Sequence, residues 1–345
     1  MRIAAYIHSA FLPQGPLFNY GWYVILRDLL ERISQANRDA QCFLISGSRF
    51  VQHAASFGPP VGDRVKVLEL DDVRLHRRLA SRGITPSGLS RLLYEAERGS
   101  PALQILMDEI RSATKSYGFD IILSFATPTD FLEEVFPTAF RLHVKAGAFS
   151  RNPYPFSLFF DHLGMYRWSV MGQHGDAIGQ REISSDCASL TRHFKQHYLD
   201  VLSSINPFGT FDFRQRFNRL CLLPLQVSNW YSFDEQTPYR TQFEFLLDVL
   251  CDAPADMGII ATEYVQWGEV LSRDALGASL LHLSSRFKNL IFQERFRHYQ
   301  STSQFLVPEV DAVWSATSNV GYQALLFDKP LGTLSGTHLT AFADA

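Results

Sequence analysis

The chain has 345 residues, 46% of them hydrophobic and 19% charged, so it can bury the cores of two domains of ordinary size and is not a disordered polymer. A net charge of −3 removes the electrostatic footprint of a general nucleic-acid binder. The four cysteines, Cys42, Cys187, Cys221 and Cys251, form no CxxC pair, and free thiols are expected.

Residues 2–9 read as a first buried strand, with one internal His. The opening "MRIAAYIHSAF" is too short and too polar for a signal peptide or a membrane span. A cytoplasmic location is therefore expected, with room for peripheral attachment to the inner face of the plasma membrane. Gly15-Pro16 marks a loop, and "YGWYVILRDLLERISQA" has helical apolar spacing. "QCFLISG" and "VKVLELD" are the second and third strands. Residues 89–115 hold one or two helices, and "FDIILSFATP" and "AFRLHVKAG" are further strands. Residues 148–176 form a stretch rich in aromatics, Pro and Gly, too long for an idle connection. "SLTRHFKQHYLDVLSSI" is helical, and "NPFGTFDFRQRFNR" reads as a linker.

A second series follows with the same grammar: strand "LCLLPLQ", helix "TQFEFLLDVLC", strands "MGIIATEY", "NLIFQE" and "AVWSAT", helix "VGYQALLF" and strand "PLGTLSG". This alternation predicts two doubly wound α/β domains with a ligand cleft between them. The expected division is 1–205, a linker over 206–218, and 219–345. The chain stops soon after a strand, so an incomplete C-terminal domain is expected.

Residues 315–319, Ser-Ala-Thr-Ser-Asn, stand where an apolar strand meets a helix. Free backbone N–H groups, hydroxyls and the helix dipole make phosphate a natural guest there. Ser315, Thr317, Ser318 and Asn319 would bind it, and Gly321 would allow a close approach. The alternative is that Ser318 or Asn319 is only an N-cap. The chain lacks the P-loop, GxGxxG and GxSxG patterns. His193 and His197 are spaced i, i+4 but lack the HExxH glutamate, so no metal site is expected.

The segment "FLVPEVDAVWSATSNVGYQALLFDKPLGTLSGTHL" resembles the nucleotide-binding segment of GT-B glycosyltransferases of bacterial capsule and lipopolysaccharide assembly. These are the capsule polysaccharide biosynthesis proteins and the retaining β-Kdo transferases. Its apolar strand, Ser/Thr turn, Gly321, Ala324-Leu325-Leu326 helix, Lys329-Pro330 and following Gly332 and Gly336 match that pattern. "LCLLPLQVSNWYSFD" resembles the strand that opens the family's C-terminal domain, and "FRLHVKAGAFSR…FFDHLG" an N-terminal segment ending in D-x-x-G. The chain departs at Lys145, where relatives often have an acid, and at Thr262-Glu263-Tyr264, where they often have His-Pro.

The resemblance implies transfer of a sugar from a nucleotide sugar to a capsule, O-antigen or other lipopolysaccharide glycan. CMP-Kdo is the leading donor, with retention and without a cofactor or metal. The acceptor, a glycan or glycolipid, would lie against the N-terminal half near residues 14–20 and the aromatic stretch 148–176. Partnership with other glycan-assembly enzymes would fit this role. A retaining double displacement needs a carboxylate nucleophile and a group for the acceptor proton. Asp234, behind Trp230, Tyr231 and Phe233, is the expected nucleophile, and Asp161 the second catalytic carboxylate. Asp161 also fits an Asx turn before Gly164. His162 is a rival base, while Gln226 and Glu263, at strand ends, would bind substrate. Two other functions fit the same sequence: a polyol-phosphate transferase acting on a CDP-alditol, and a non-catalytic sugar- or nucleotide-binding module of a larger polymerase.

Overall fold

In the computed structural model the first apolar run is a strand, β1 (Arg2–Ile7). The structure describes residues 1–8, 20–57, 64–95, 99–115, 117–125, 129–151, 153–208, 212–226, 233, 235–263, 270–299, 301–333 and 336–344. The chain divides into two compact units, one of Met1–Lys145 with Phe160–Val170, the other of Ala146–Phe159 with Met171–Ala345.

The first unit continues through α1 (Tyr20–Ala36), β2 (Gln41–Gly47), α2 (Ser48–Phe57), β3 (Val65–Leu70) and α3 (Asp72–Ala80). Next come α4 (Pro86–Tyr94), α5 (Pro101–Thr114), β4 (Ile121–Phe125), β5 (Phe140–Ala146) and β6 (Leu158–Asp161). Ile3 to Ile7 are all buried, as expected of a central parallel strand covered on both faces. The six strands are ordered β3-β2-β1-β4-β5-β6. Asp71 caps α3 by accepting the Arg74 N–H, and Thr85 caps α4 with Pro86 at its first turn. The stretch 89–115, which sequence periodicity leaves as one or two helices, is shared by two, α4 and α5, and Pro101 stands in the first turn of the second. α2 and α3 are helices in addition to the expected elements. β6 lies within the stretch expected to be irregular.

The second unit holds most of α6 (Val170–Gly179), then α7 (Ser185–Ile205), β7 (Arg219–Pro224), α8 (Gln242–Asp252), β8 (Met257–Thr262) and α9 (Val270–Arg286). It ends with β9 (Leu290–Ile291), α10 (Thr302–Leu306), β10 (Ala312–Trp314), α11 (Val320–Leu326) and β11 (Leu331–Gly332). Its five strands are ordered β11-β10-β7-β8-β9, and every pair is parallel. Both sheets therefore reverse direction once beside their first strand, at β1/β4 and at β7/β10. Two doubly wound, Rossmann-like units in one chain are the composition of the GT-B fold.

The units do not divide at the expected linker. Phe208, Phe213 and Phe217 lie within the expected linker, and all three are buried in one cluster with Leu220, Phe296 and Phe305. Residues 171–205 also belong to the second unit rather than the first. Tyr198 of α7 stacks on Phe149 with ring centroids 4.5 Å apart, and Leu202 is buried in the same cluster. Apolar packing overrides the composition signal here. Aromatic side chains of this size gain roughly 1.5–3 kcal/mol each by leaving water.

Candidate functional site

The second unit's reversal point brings two distant segments together. Gln226 follows β7, and Ser315 to Thr317 follow β10, the neighbouring strand. The Gln226 carboxamide holds Thr317 through both of its polar atoms. Oε1 accepts the Thr317 N–H at 2.8 Å and its hydroxyl at 2.9 Å, while Nε2 lies 2.7 Å from that hydroxyl. Thr317 is buried and Gln226 half-buried. In an open α/β sheet this crevice, outside the carboxyl ends of the strands at a reversal, is where ligands bind.

The turn beyond Thr317 is internally bonded. Ser318 N–H donates to Ser315 Oγ at 3.2 Å, and the Ser315 hydroxyl reaches Ser318 O at 3.4 Å. Val320 N–H donates to Ser318 Oγ at 3.3 Å, and Gly321 N–H to Ser318 O at 3.0 Å. Ser318 thus also performs the N-capping role that the sequence leaves open. Asn319 makes no cap bond. Its Nδ2 instead lies 3.4 Å from the carbonyl oxygens of Ala146 and Gly147. Gln323 of α11 adds a 2.8 Å bond to Ala148 O, tying the segment after β5 to this turn.

Gly321 has a packing reason that differs from the expected one. A Cβ there would stand 2.5 Å from Leu339 Cδ1, so the glycine admits a neighbouring leucine rather than leaving space for a ligand. α11 has only seven residues, which limits the dipole invoked for phosphate.

Glu263, expected to bind sugar or ribose hydroxyls, is buried at the end of β8 and paired with Arg297, with Nε to Oε1 at 2.6 Å. Burial works against the Arg297 charge. The hydrogen bond and charge of Glu263, with the charge of Glu294, still hold its pKa above the ordinary guanidinium value. Glu263 therefore fixes Arg297 inside the second unit and is not presented to a substrate. Beside it, Thr262 Oγ1 and Ser303 Oγ are 2.7 Å apart. Neither Arg297 nor Ser303 has a local sequence signal, because each reaches β8 from a distant element.

Asp161, expected as a catalytic carboxylate, is buried in the first unit. One carboxylate oxygen accepts the N–H groups of Leu163 at 2.8 Å and Gly164 at 3.3 Å, and the other accepts Val170 N–H at 2.9 Å. This is the Asx-turn alternative, extended to the start of α6. His162 is exposed beside it. Asp234, Trp230 and Tyr231 lie outside the described residues, as do residues 14–19; Phe233 is described and fully buried. Among the described residues no three His, Cys, Asp or Glu side chains gather as a metal site. No described helix is long and apolar enough to cross a membrane.

No protein-family model matches the chain, and no curated protein matches it in sequence. Solved structures do. The chain is similar to the β-Kdo 2,7 transferase KpsC of Thermosulfurimonas dismutans, at 15% identity and TM-score 0.40, over 85% of this chain and 79% of that one. It is also similar to the UDP-GlcNAc 2-epimerase of Methanocaldococcus jannaschii in complex with UDP-GlcNAc and UDP, at 11% identity and TM-score 0.39, over 99% and 85%. A third is the calicheamicin glycosyltransferase CalG4, at 11% identity and TM-score 0.35, over 96% and 78%.

Within the chain itself, the switch-point residues fall into two groups. Gln226, Ser315, Thr317, Ser318 and Asn319 converge within one unit around the ends of β7 and β10. Glu263 and Gly321 lie in the same unit but serve ion pairing and packing. Chemically, the first group is a neutral surface of hydroxyls and amides. It can hydrogen-bond phosphate oxygens or sugar hydroxyls, but it holds no carboxylate able to act as a nucleophile.

Proposed function

We propose that the chain is a glycosyltransferase that takes its sugar from a nucleotide donor bound by the second unit. The observation that carries this reading is the joining of Gln226 to Thr317 at the β7/β10 reversal. It places hydroxyl and amide groups where a doubly wound sheet receives a nucleotide. The resemblance of residues 305–339 to the nucleotide segment of capsule and lipopolysaccharide transferases supports it. By that resemblance the donor is CMP-Kdo, the product retains the β configuration, and the acceptor is a bacterial surface glycan held by the first unit. Asp234 is the proposed nucleophile. Thr317 and Ser318 are the proposed phosphate contacts, and a phosphate oxygen would take the Thr317 N–H in place of Gln226.

Thermal stabilisation by CMP, CDP, UDP and GDP tests the nucleotide, because only a ligand of the native state raises the melting temperature. CMP is expected to give the largest shift. A clear preference for UDP or GDP overturns the Kdo assignment. Incubation with CMP-Kdo is expected to leave one added sugar on the peptide containing Asp234, and Asp234→Asn is expected to abolish turnover while nucleotide binding persists. An adduct on another peptide removes Asp234 from the role.

The competing reading is a non-catalytic nucleotide- or sugar-binding module. It is favoured by the commitment of Asp161 and Glu263 to internal bonds. Such a module gives the thermal shift without consuming donor.

A further inference from the structure

The carboxyl end of β5 in the first unit carries a cation. Lys145 is half-buried, and its Nζ stands 3.9 Å from the centre of the Tyr166 ring. The next residue after that tyrosine, Arg167, is also half-buried. Its guanidinium carbon lies 4.5 Å from the centre of the Tyr94 ring and 5.1 Å from that of Trp168. Tyr94 is the last residue of α4. All of these residues belong to the first unit.

The rings under the two cations are held in place. Tyr166 is buried at φ 55, the left-handed region that a bulky side chain enters only under strain. Its carbonyl oxygen accepts the Ser169 N–H at 3.0 Å and the Ser169 hydroxyl at 2.6 Å, which keep the backbone there. Trp168 Nε1 donates to Tyr94 O at 2.6 Å, which ties the Trp168 ring to the end of α4. Backbone strain of this kind gathers at sites that clamp a ligand.

Neither cation is neutralised. Among the described residues, Lys145 and Arg167 meet ring faces only, with no carboxylate and no hydrogen-bond acceptor. A ring face attracts a cation but leaves its N–H donors open. Asp161, the carboxylate of the same segment, is buried and accepts the N–H groups of Leu163, Gly164 and Val170 instead. Arginines with a structural role in this unit are paired: Arg74 Nε donates to Glu109 at 3.0 Å, and Arg141 Nε to Asp130 at 2.7 Å.

We propose that Lys145 and Arg167 bind an oxyanion carried by the acceptor, a phosphate or a carboxylate on the acceptor sugar. The inference rests on the glycosyltransferase reading above and narrows its acceptor from any glycan to an anionic one. Arg167 offers a planar fork of N–H groups that matches two oxygens of one anion, and Lys145 adds a point charge. A neutral sugar leaves both charges unpaired and binds more weakly.

The test is calorimetric titration of the full chain with glucose-6-phosphate, glucuronate and glucose, repeated with Lys145→Gln, Arg167→Gln and Lys145→Arg. At least one of the two anions is expected to bind at millimolar concentration, and the phosphate and carboxylate arms tell which oxyanion the site takes. Glucose is expected to bind at least about 10-fold more weakly. Each Gln substitution should weaken anion binding at least about 10-fold, the loss expected for one charge-assisted contact, while Lys145→Arg retains it. The CMP-induced thermal shift should be the same in all four proteins. Binding of neither anion, equal binding of glucose, or wild-type anion affinity in either Gln variant overturns the proposal. So does loss of the CMP shift in the Gln variants, which would assign the cations to the donor phosphate. If a Gln variant does not fold, the Trp168 indole N–H resonance of the wild type decides, and it must move with the anion and not with glucose. An active transferase that binds neither anion overturns this inference alone. A wild type that binds the anion but consumes no CMP-, CDP-, UDP- or GDP-sugar keeps the anion site and overturns the transferase reading, and with it the acceptor role.

Discussion

Gln226 and Thr317 are 91 residues apart in sequence, yet one carboxamide bonds both the N–H and the hydroxyl of the threonine. Because Thr317 is buried, removing the amide leaves a buried donor unsatisfied, at a cost of about 1–3 kcal/mol. Gln226→Ala is expected to destabilise the second unit by that amount. A double-mutant cycle with Thr317→Ala should show coupling of at least 0.5 kcal/mol, the lower end of ~0.5–3 kcal/mol for contacting residues. Additive losses in urea denaturation would show that the pair is not energetically joined.

Asp161 separates structural from catalytic use of a carboxylate. It accepts three backbone N–H groups in the first unit. Asp161→Ala orphans all three and should lower stability by several kcal/mol, at about 1–3 kcal/mol for each group left without a partner. Asp161→Asn keeps one acceptor oxygen and should lose less. Calorimetry of both, beside turnover, checks this. An Asn variant of wild-type stability with no turnover would return Asp161 to the chemistry.

Gly321 is predicted to fail through packing. Gly321→Ala drives a methyl into Leu339, and overpacking of this kind costs about 1–3 kcal/mol. Leu339→Ala in the same chain should recover part of that loss. If melting temperatures show no recovery, the clash is not the cause.

Asp311 gives an acid-side stability limit. Burial alone would raise its pKa. The Arg214 hydrogen bond, the Leu220 N–H and the charges of Arg214 and Lys329 outweigh burial and hold it below the usual carboxylate value. A carboxylate with a depressed folded pKa stabilises the chain above its unfolded pKa, about 3.9, and loses that contribution as pH falls through the folded value. Asp311→Asn should therefore reduce stability at neutral pH, and the gap from wild type should close below about pH 4. Denaturation at a series of pH values measures the gap. A constant difference would show that the charge is not responsible.

The sequence by itself determined the alternation of apolar strands and helices, because a strand covered on both faces needs an unbroken apolar run and a helix needs its own period. It also located Gln226 and the 315–319 turn at strand ends, since those positions are local. It carried no signal that the aromatics of the expected linker, Phe208, Phe213 and Phe217, enter the second core, because burial depends on distant partners such as Phe296 and Phe305. Carboxylate roles were only partly legible. The Asx turn of Asp161 before Gly164 is local and could be read from spacing, but its bond from the Val170 N–H and the pairing of Glu263 with Arg297 could not. His8 read only as one polar residue inside a first strand. Its approach to Asp72 depends on β1, β2 and β3 lying side by side, with Gly47 leaving room for the carboxylate. Periodicity is a local property of the chain. The pairing of buried polar groups is not, because each must find its partner wherever the parallel sheet places one.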